Sequence, residues 1–141
     1  MEQALYQAAI MTFEELGFVF PFDAKDAPDD NWSSISTVSV SFHGEFDGEI
    51  FLTIEDTALA AIAENMLGDD LAADPALVQD VLGELANVIC GNALPAIAGN
   101  THIFKLNAPT FRSEPEKIKT ASAIARLGMD EGRSDVSLFI H

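Results

Sequence analysis

The sequence predicts an α+β domain in which helices pack on a largely antiparallel sheet. Apolar residues recur at helical spacing near the start and in the middle of the chain, residues 34–54 alternate as in a hairpin, and three strand-like stretches follow residue 100. The 141 residues can bury one core, and no linker-like or low-complexity segment divides them. We therefore expect a single domain over 1–141 with the order α-β-β-α-α-β-β-β.

The first third of the chain predicts a helix and a hairpin. The stretch MEQALYQAAIMTFEELG has apolar residues at helical spacing, and Gly17 is the expected C′ residue. Residues 18–34 mix proline, aspartate and asparagine, which favours an extended entry followed by a loop. The runs SISTVSVSF and IFLTI alternate as strands, and HGEFDGE between them is the predicted turn.

Two helices are predicted next. The first begins at the N-cap Asp56 and stops at Gly68, and DDLAADP links it to the second. Asp74 followed by Pro75 is a strong start signal for a long helix that runs to about Gly99. The stretches HIFKLNAPTFRS, KIKTASAIARLGM and SDVSLFIH then predict three strands.

Composition limits the class of partner and the compartment. Twenty-three acidic against seven basic residues give a net charge of −16, which disfavours binding to nucleic acid or anionic membranes. The N-terminus is acidic where a signal peptide needs a basic start, and we identify no apolar run near the roughly 20 residues of a membrane span. We therefore expect a cytoplasmic protein.

The residue types that hold metals in proteins are sparse. Cys90 is the single cysteine, which excludes an internal disulfide and a thiol-rich metal site. The histidines are far apart in sequence and lack ligand spacing; they are His43, His102 and His141. We expect no metal site of the protein's own.

The long helix has one predicted open sector. Its core arc contains Val78, Val81, Leu82, Leu85, Val88, Ile89, Asn92 and Ala96. A second packing flank contains Gly83, Ala86, Cys90, Leu94 and Ile97. The remaining sector holds Asp80, Glu84, Asn87, Gly91, Pro95 and Ala98. The helix is thus expected to be buried on most sides and accessible in this sector.

Within that sector Glu84 and Asn87 stand at i and i+3, so their side chains project side by side. Gly91 has no side chain to obstruct an approaching molecule. Glu84 alone fits a solvated helix acid equally well, whereas Asn87 has little structural reason to sit in a helix interior. Asp80 fits either a rim contact or a favourable acid in the first turns. Asn92 is expected to be a buried amide bonded to backbone.

The stretch GELANVICGNA at 83–93 resembles the E-x-x-N signature of the CheC/CheX/FliY phosphatases of bacterial chemotaxis. The order of the predicted elements is also similar to that of a CheX-like chain. Glu14 and Glu15 lack an asparagine three residues on, so one motif per chain is expected, as in CheX.

This resemblance implies a homodimer that hydrolyses the aspartyl-phosphate of a response regulator such as CheY. It implies that Asn87 holds the in-line water and that Glu84 pairs with the regulator's lysine. Asp80, Gly83 and Gly91 are expected to contact the regulator. The protein would have no cofactor of its own, because Mg²⁺ would be held by the regulator's carboxylates.

Two alternatives remain at this point. A non-catalytic CheX-like adaptor would dock on a regulator or another signalling partner, and a structural subunit would resemble flagellar switch components. Asn87 favours the enzyme, because a docking helix has no need of an amide that can orient water. A hydrolase acting alone is poorly supported, since the sequence has no Ser/His/Asp or Cys/His arrangement and no glycine-rich phosphate loop.

Overall fold

The protein is an α+β domain built on one antiparallel sheet, which confirms the predicted fold class. The computed structural model describes residues 1–25, 32–112 and 121–141. The helices are α1 (Glu2–Glu15), α2 (Asp56–Leu67), α3 (Asp69–Ala72) and α4 (Pro75–Ala98). The strands are β1 (Phe22–Asp23), β2 (Ile35–His43), β3 (Gly48–Glu55), β4 (Lys105–Leu106), β5 (Thr110–Arg112), β6 (Ala123–Met129) and β7 (Gly132–Ile140).

The sheet has the strand order β1-β6-β7-β3-β2-β4. β5 pairs with the same edge of β2 as β4 does: β4 lies opposite residues 42–43 and β5 opposite residues 37–39. All neighbouring strands are antiparallel. The register aligns Val38, Leu52, Val136 and Ala125 in one row across four strands. These side chains are buried in the core, against which α1, α2 and α4 pack.

The central helix is α4, which contacts α1, α2 and α3 as well as β2 and β3. The Asp74 carboxylate caps its start by accepting a hydrogen bond from the Ala76 amide at 3.0 Å. At its end Gly99 has φ +96°, and its amide donates to the Pro95 carbonyl at 2.9 Å. Both predicted ends of this helix are therefore confirmed.

The length and apolar composition of α4 are sufficient for a membrane span, with a mean hydropathy of 1.4. The expectation that no stretch approaches that length is therefore wrong for α4. Half of its most apolar stretch is buried inside the fold. The buried core helix of a globular protein can have the same length and apolar composition as a membrane span.

Several short elements differ from the prediction. The segment 69–72, expected to be a link, forms α3, and part of the expected entry pairs with β6 as β1. The stretch HIFKLNAPTFRS forms two strands because Pro109 between them has no amide to donate. The predicted strand KIKTASAIARLGM begins at Ala123; residues 117–120 of that stretch, and residues 26–31 of the predicted loop, lie outside the described residues.

The end of α1 also differs. Gly17 is the residue expected to be left-handed, but the positive φ of +52° belongs to Phe18. An added Cβ at Gly17 would lie 2.9 Å from the Phe13 carbonyl oxygen and 3.2 Å from the Ile62 side chain of α2. Its glycine identity therefore serves close contacts with the end of α1 and with α2 rather than a left-handed turn.

Candidate functional site

The candidate site is the outward face of α4. Leu85 and Ile89 on the inner side are completely buried, and they fix the rotation of the helix on the sheet. The outer residues Asp80, Glu84 and Gly91 are exposed, and Asn87 is half-buried. We call Asp80, Glu84, Asn87 and Gly91 the site face.

Glu84 and Asn87 are unpaired on this face. In the described part of the chain, neither side chain takes part in a hydrogen bond or an ion pair. They are three residues apart on a continuous helix, which separates them by about 4.5 Å along its axis. A carboxylate and a carboxamide are therefore held side by side by the helix, and both are available to a second molecule.

Gly91 leaves the next turn of the site face flat. Apart from the adjacent residues and backbone of α4 itself, no atom lies within 4 Å of the position that a Cβ would take there, and its φ is not positive. Pro95 follows one turn later within α4, and its ring nitrogen cannot donate to the Gly91 carbonyl. The helix nevertheless continues to Ala98. A partner approaching Asn87 therefore meets backbone and no side chain at residue 91.

Gly83 does not belong to the site face, and the expectation that it contacts a partner is wrong. It is buried against the segment that contains β5. A Cβ there would lie 3.2 Å from Cζ of Phe111 and 3.3 Å from Cγ of Pro109. The surface at this position is formed by Phe111, which is 39% exposed. The absence of a side chain at Gly83 permits the close contact between α4 and β5.

Four residues on the predicted core arc are less buried than expected: Val78, Val88 and Asn92 are half-buried, and Ala96 is exposed. Asn92 is half-buried rather than buried, and its Nδ2 donates to the Thr12 hydroxyl of α1 at 3.4 Å rather than to backbone. Ala96 is exposed, because the last buried residue of α4 is Leu94 and the helix continues past the core. Asn92 bonds to α1 rather than joining the site face, so Glu84 and Asn87 are the polar side chains of that face nearest to Gly91.

A cleft of about 420 Å³ lies beside α4 and was not predicted. It is bounded by the start of α4, by α2, and by β2 and β5, and its walls include Asp56, Leu59, Leu82 and Phe111. The Asp56 carboxylate accepts hydrogen bonds from the hydroxyls of Ser34 and Ser36, both at 2.6 Å. Phe111 separates this cleft from Gly83. No signal in the sequence brings these distant segments together.

Cys90 is inert at neutral pH. It is completely buried, and burial raises the pKa of its thiol to about 12. A thiol that remains protonated is not a nucleophile. Cys90 therefore serves as a small apolar residue on the packing flank of α4.

The three histidines, which are far apart in the sequence, lie near the β2–β3 turn, and each faces an acid. His43 is 3.3 Å from Asp47, His102 is 3.2 Å from Glu45, and His141 is 3.5 Å from Glu49. Over residues 1–25, 32–112 and 121–141, no three His, Cys, Asp or Glu side chains are grouped so that they could hold a metal ion.

A family model described as chemotaxis phosphatase CheX matches residues 36–134. The chain belongs to the CheX family. The matched range runs from β2 into β7 and includes all of α4, so the CheX match contains both Glu84 and Asn87. The family relationship predicted from GELANVICGNA is confirmed.

Solved structures agree with the CheX assignment. The chain is similar to a chemotaxis protein CheX from Desulfovibrio desulfuricans, with 17% identity, a TM-score of 0.78, and coverage of 99% of this chain and 97% of that one. A CheX–CheY–BeF₃–Mg²⁺ complex from Borrelia burgdorferi gives 18% identity, a TM-score of 0.70, and coverage of 99% and 96%. FliY from Thermotoga maritima has 15% sequence identity with this chain and a TM-score of 0.58, and the match covers 97% of this chain and 84% of that one. At these identities the likeness shows a common fold. No protein with a curated description matches the chain in sequence.

Proposed function

We propose that this protein hydrolyses the aspartyl-phosphate of a phosphorylated, CheY-like response regulator. The observation that carries the proposal is the placement of Glu84 and Asn87 side by side on one accessible face of α4, next to the flat surface at Gly91. The CheX family match supports the reaction class. The Borrelia burgdorferi structure contains CheY with its CheX, which supports a regulator as the partner.

The proposed chemistry uses an already activated bond. A water oxygen attacks the phosphorus in line, the bond from phosphorus to the aspartyl oxygen breaks, and the aspartate leaves as a carboxylate with inorganic phosphate as the second product. Asn87 orients this water, because a carboxamide offers a donor and an acceptor together and needs no proton of its own. Mg²⁺ would be held by carboxylates of the regulator.

Glu84 has the second role in the proposal. Its exposed carboxylate has no cationic partner within the described residues, so it is available to a lysine of the regulator. Such a pair would hold the regulator in register with Asn87 on the next turn of the helix. Asp80, one turn before Glu84, would contact the edge of the same interface.

The first test compares Asn87→Ala with Asn100→Ala, an exposed asparagine beyond the end of α4. Loss of phosphate from a radiolabelled regulator should slow about 100-fold in Asn87→Ala, since a misplaced reacting group costs about that factor. Binding of the phosphorylated regulator should change little, and Asn100→Ala should behave as the parent protein. Full activity in Asn87→Ala would contradict the mechanism.

The second test compares Glu84→Ala with Glu131→Ala, an exposed acid in the β6–β7 turn. Loss of one partner of a desolvated ion pair costs about 2 kcal/mol or more, so the Kd for the regulator should rise about 30-fold in Glu84→Ala. Glu131→Ala should leave the Kd unchanged. If the parent protein binds the regulator but never accelerates phosphate loss, the non-catalytic adaptor is the correct function.

We also propose that the protein is a cytoplasmic homodimer, as the CheX family relationship suggests. Sedimentation equilibrium at several concentrations should give twice the 15.1 kDa mass of the chain. A mass that remains at the monomer value throughout would refute the homodimer.

A further inference from the structure

Three phenylalanines are exposed in the five residues that lead from α1 into the sheet. Phe18, Phe20 and Phe22 are 64%, 77% and 58% exposed. Val19 between the first two is buried and anchors the segment to the core, and the Phe22 ring lies over Gly128 of β6. We call the three exposed side chains the aromatic patch. Exposed apolar groups in such a cluster mark contact surfaces more often than isolated ones do.

Packing within the domain does not explain Phe18. Its φ of +52° lies in the left-handed region, which costs free energy in any residue that has a Cβ. Glycine or asparagine would take this conformation at a lower cost. A largely exposed ring recovers little of that cost by burial. The identity of this side chain therefore requires an explanation outside the described fold.

The surroundings of the patch are acidic. Exposed Glu14 and Glu15 occupy the last turn of α1, and exposed Glu64 lies in the last turn of α2. The two helix ends meet, because Nδ2 of Asn65 donates to the Gly17 carbonyl at 2.7 Å. Helix C-termini carry partial negative charge, and neither helix has a basic residue in its last turn.

This negative charge is not neutralised within the described chain. Glu14, Glu15 and Glu64 form no ion pair among residues 1–25, 32–112 and 121–141. A cationic side chain from another molecule would relieve the repulsion and could also stack on an exposed phenyl ring. Apolar rings beside uncompensated acids are complementary to a segment that is both basic and apolar.

We propose that the aromatic patch binds a basic amphipathic segment of a partner protein. A second copy of this chain would bring the same acids and a charge of −16 to the contact, which opposes self-association there. The patch includes Phe22 of β1, at the sheet edge opposite β4 and β5.

The test uses a fluorescent amphipathic helical peptide of leucine and lysine, and a counterpart with glutamate in place of lysine. Fluorescence anisotropy should detect binding of the basic peptide alone. The double variant Phe18→Ser/Phe20→Ser should raise its Kd about 10-fold or more, because truncated central aromatic contacts dominate interface energetics. Ile103→Ser removes an exposed apolar side chain of 89% exposure elsewhere and should change the Kd less than twofold.

Charge-matched variants separate a specific site from general attraction to an acidic protein. Glu14→Gln/Glu15→Gln and Asp69→Asn/Asp70→Asn remove the same charge from α1 and α3, respectively. Only the α1 pair should weaken binding substantially. Equal losses in both pairs, or binding of the acidic peptide, would overturn the proposal.

A third measurement addresses the other possible occupants of the patch. If Phe18→Ser/Phe20→Ser lowers the association state in sedimentation equilibrium, a second copy occupies the patch and the proposal is wrong. Binding of the parent protein to phosphatidylcholine vesicles, lost in that variant, would assign the patch to a membrane and would also overturn it. Circular dichroism should show that the variant keeps its fold, and its phosphatase activity should equal that of the parent protein.

Discussion

Gly91 is the position at which bulk on the site face can be separated from the stability of the fold. It lies in the interior of α4, is exposed, and has open space for at least 4 Å around the position that a Cβ would take. We therefore expect Gly91→Ala and Gly91→Leu to fold normally. Gly91→Leu should nevertheless obstruct the approach of a regulator to Asn87, one turn earlier on the same face.

The expected gain in stability follows from helix propensity. Glycine in a helix interior costs about 0.5–1 kcal/mol relative to alanine, and leucine is nearly as favourable as alanine. With no neighbour to displace at residue 91, both variants should gain most of this difference. For a chain of 141 residues, the melting temperature should rise by about 2–4 °C.

The assay combines thermal denaturation with dephosphorylation of a regulator. Gly91→Leu should melt above the parent protein but dephosphorylate about 100-fold more slowly, since a displaced docking surface misplaces Asn87. Ala96→Leu is the control, because it adds similar bulk to an exposed position about 140° away around the same helix. If Gly91→Leu is stabilised and retains full activity, the regulator does not dock across this face.

Three further predictions concern the interior and the acid response. Gly83→Val should lower the free energy of unfolding by about 1–3 kcal/mol in urea titrations, because its side chain would press on Phe111. Cys90 should react with Ellman's reagent at mildly alkaline pH only when urea unfolds the protein, because burial raises its pKa to about 12; rapid reaction of the native protein would contradict this. Hydrogen bonds from the Ser33 hydroxyl, and from the amides of Ser33 and Arg133, lower the pKa of Glu55. Its stabilising contribution is therefore complete above the pKa of the unfolded chain and is lost as the pH falls through the lowered pKa, so Glu55→Gln should reduce the loss of stability in acid.

The long elements were predictable because their patterns are local. Asp74 and Pro75 identify the start of α4, Gly99 identifies its end, and the alternation of β2 and β3 identifies the hairpin. The accessible sector of α4 followed from helical spacing, which puts Glu84 and Asn87 on one side. These features depend on residues that are neighbours in the chain.

The failures concern contacts between distant segments. Gly83 could not be distinguished from Gly91 by helical spacing, because only the packing of β5 shows that one is buried and the other is exposed. The meeting of the histidines with acids of the hairpin, and the cleft beside α4, likewise depend on the strand order. At Phe18, the ordinary preference of the left-handed conformation for glycine misled the prediction.

The position of β7 has a consequence for how the molecule is assembled. This strand lies between β6 and β3, and its register joins Gly48 to Ile140 and Ile54 to Ser134. The hairpin of β2 and β3 is synthesised early, yet its second edge stays unpaired until residues 132–140 leave the ribosome. Such distant pairings slow folding. The sheet on which α4 packs is therefore completed late. A nascent chain can carry Glu84 and Asn87 well before the folded sheet holds them in a working arrangement.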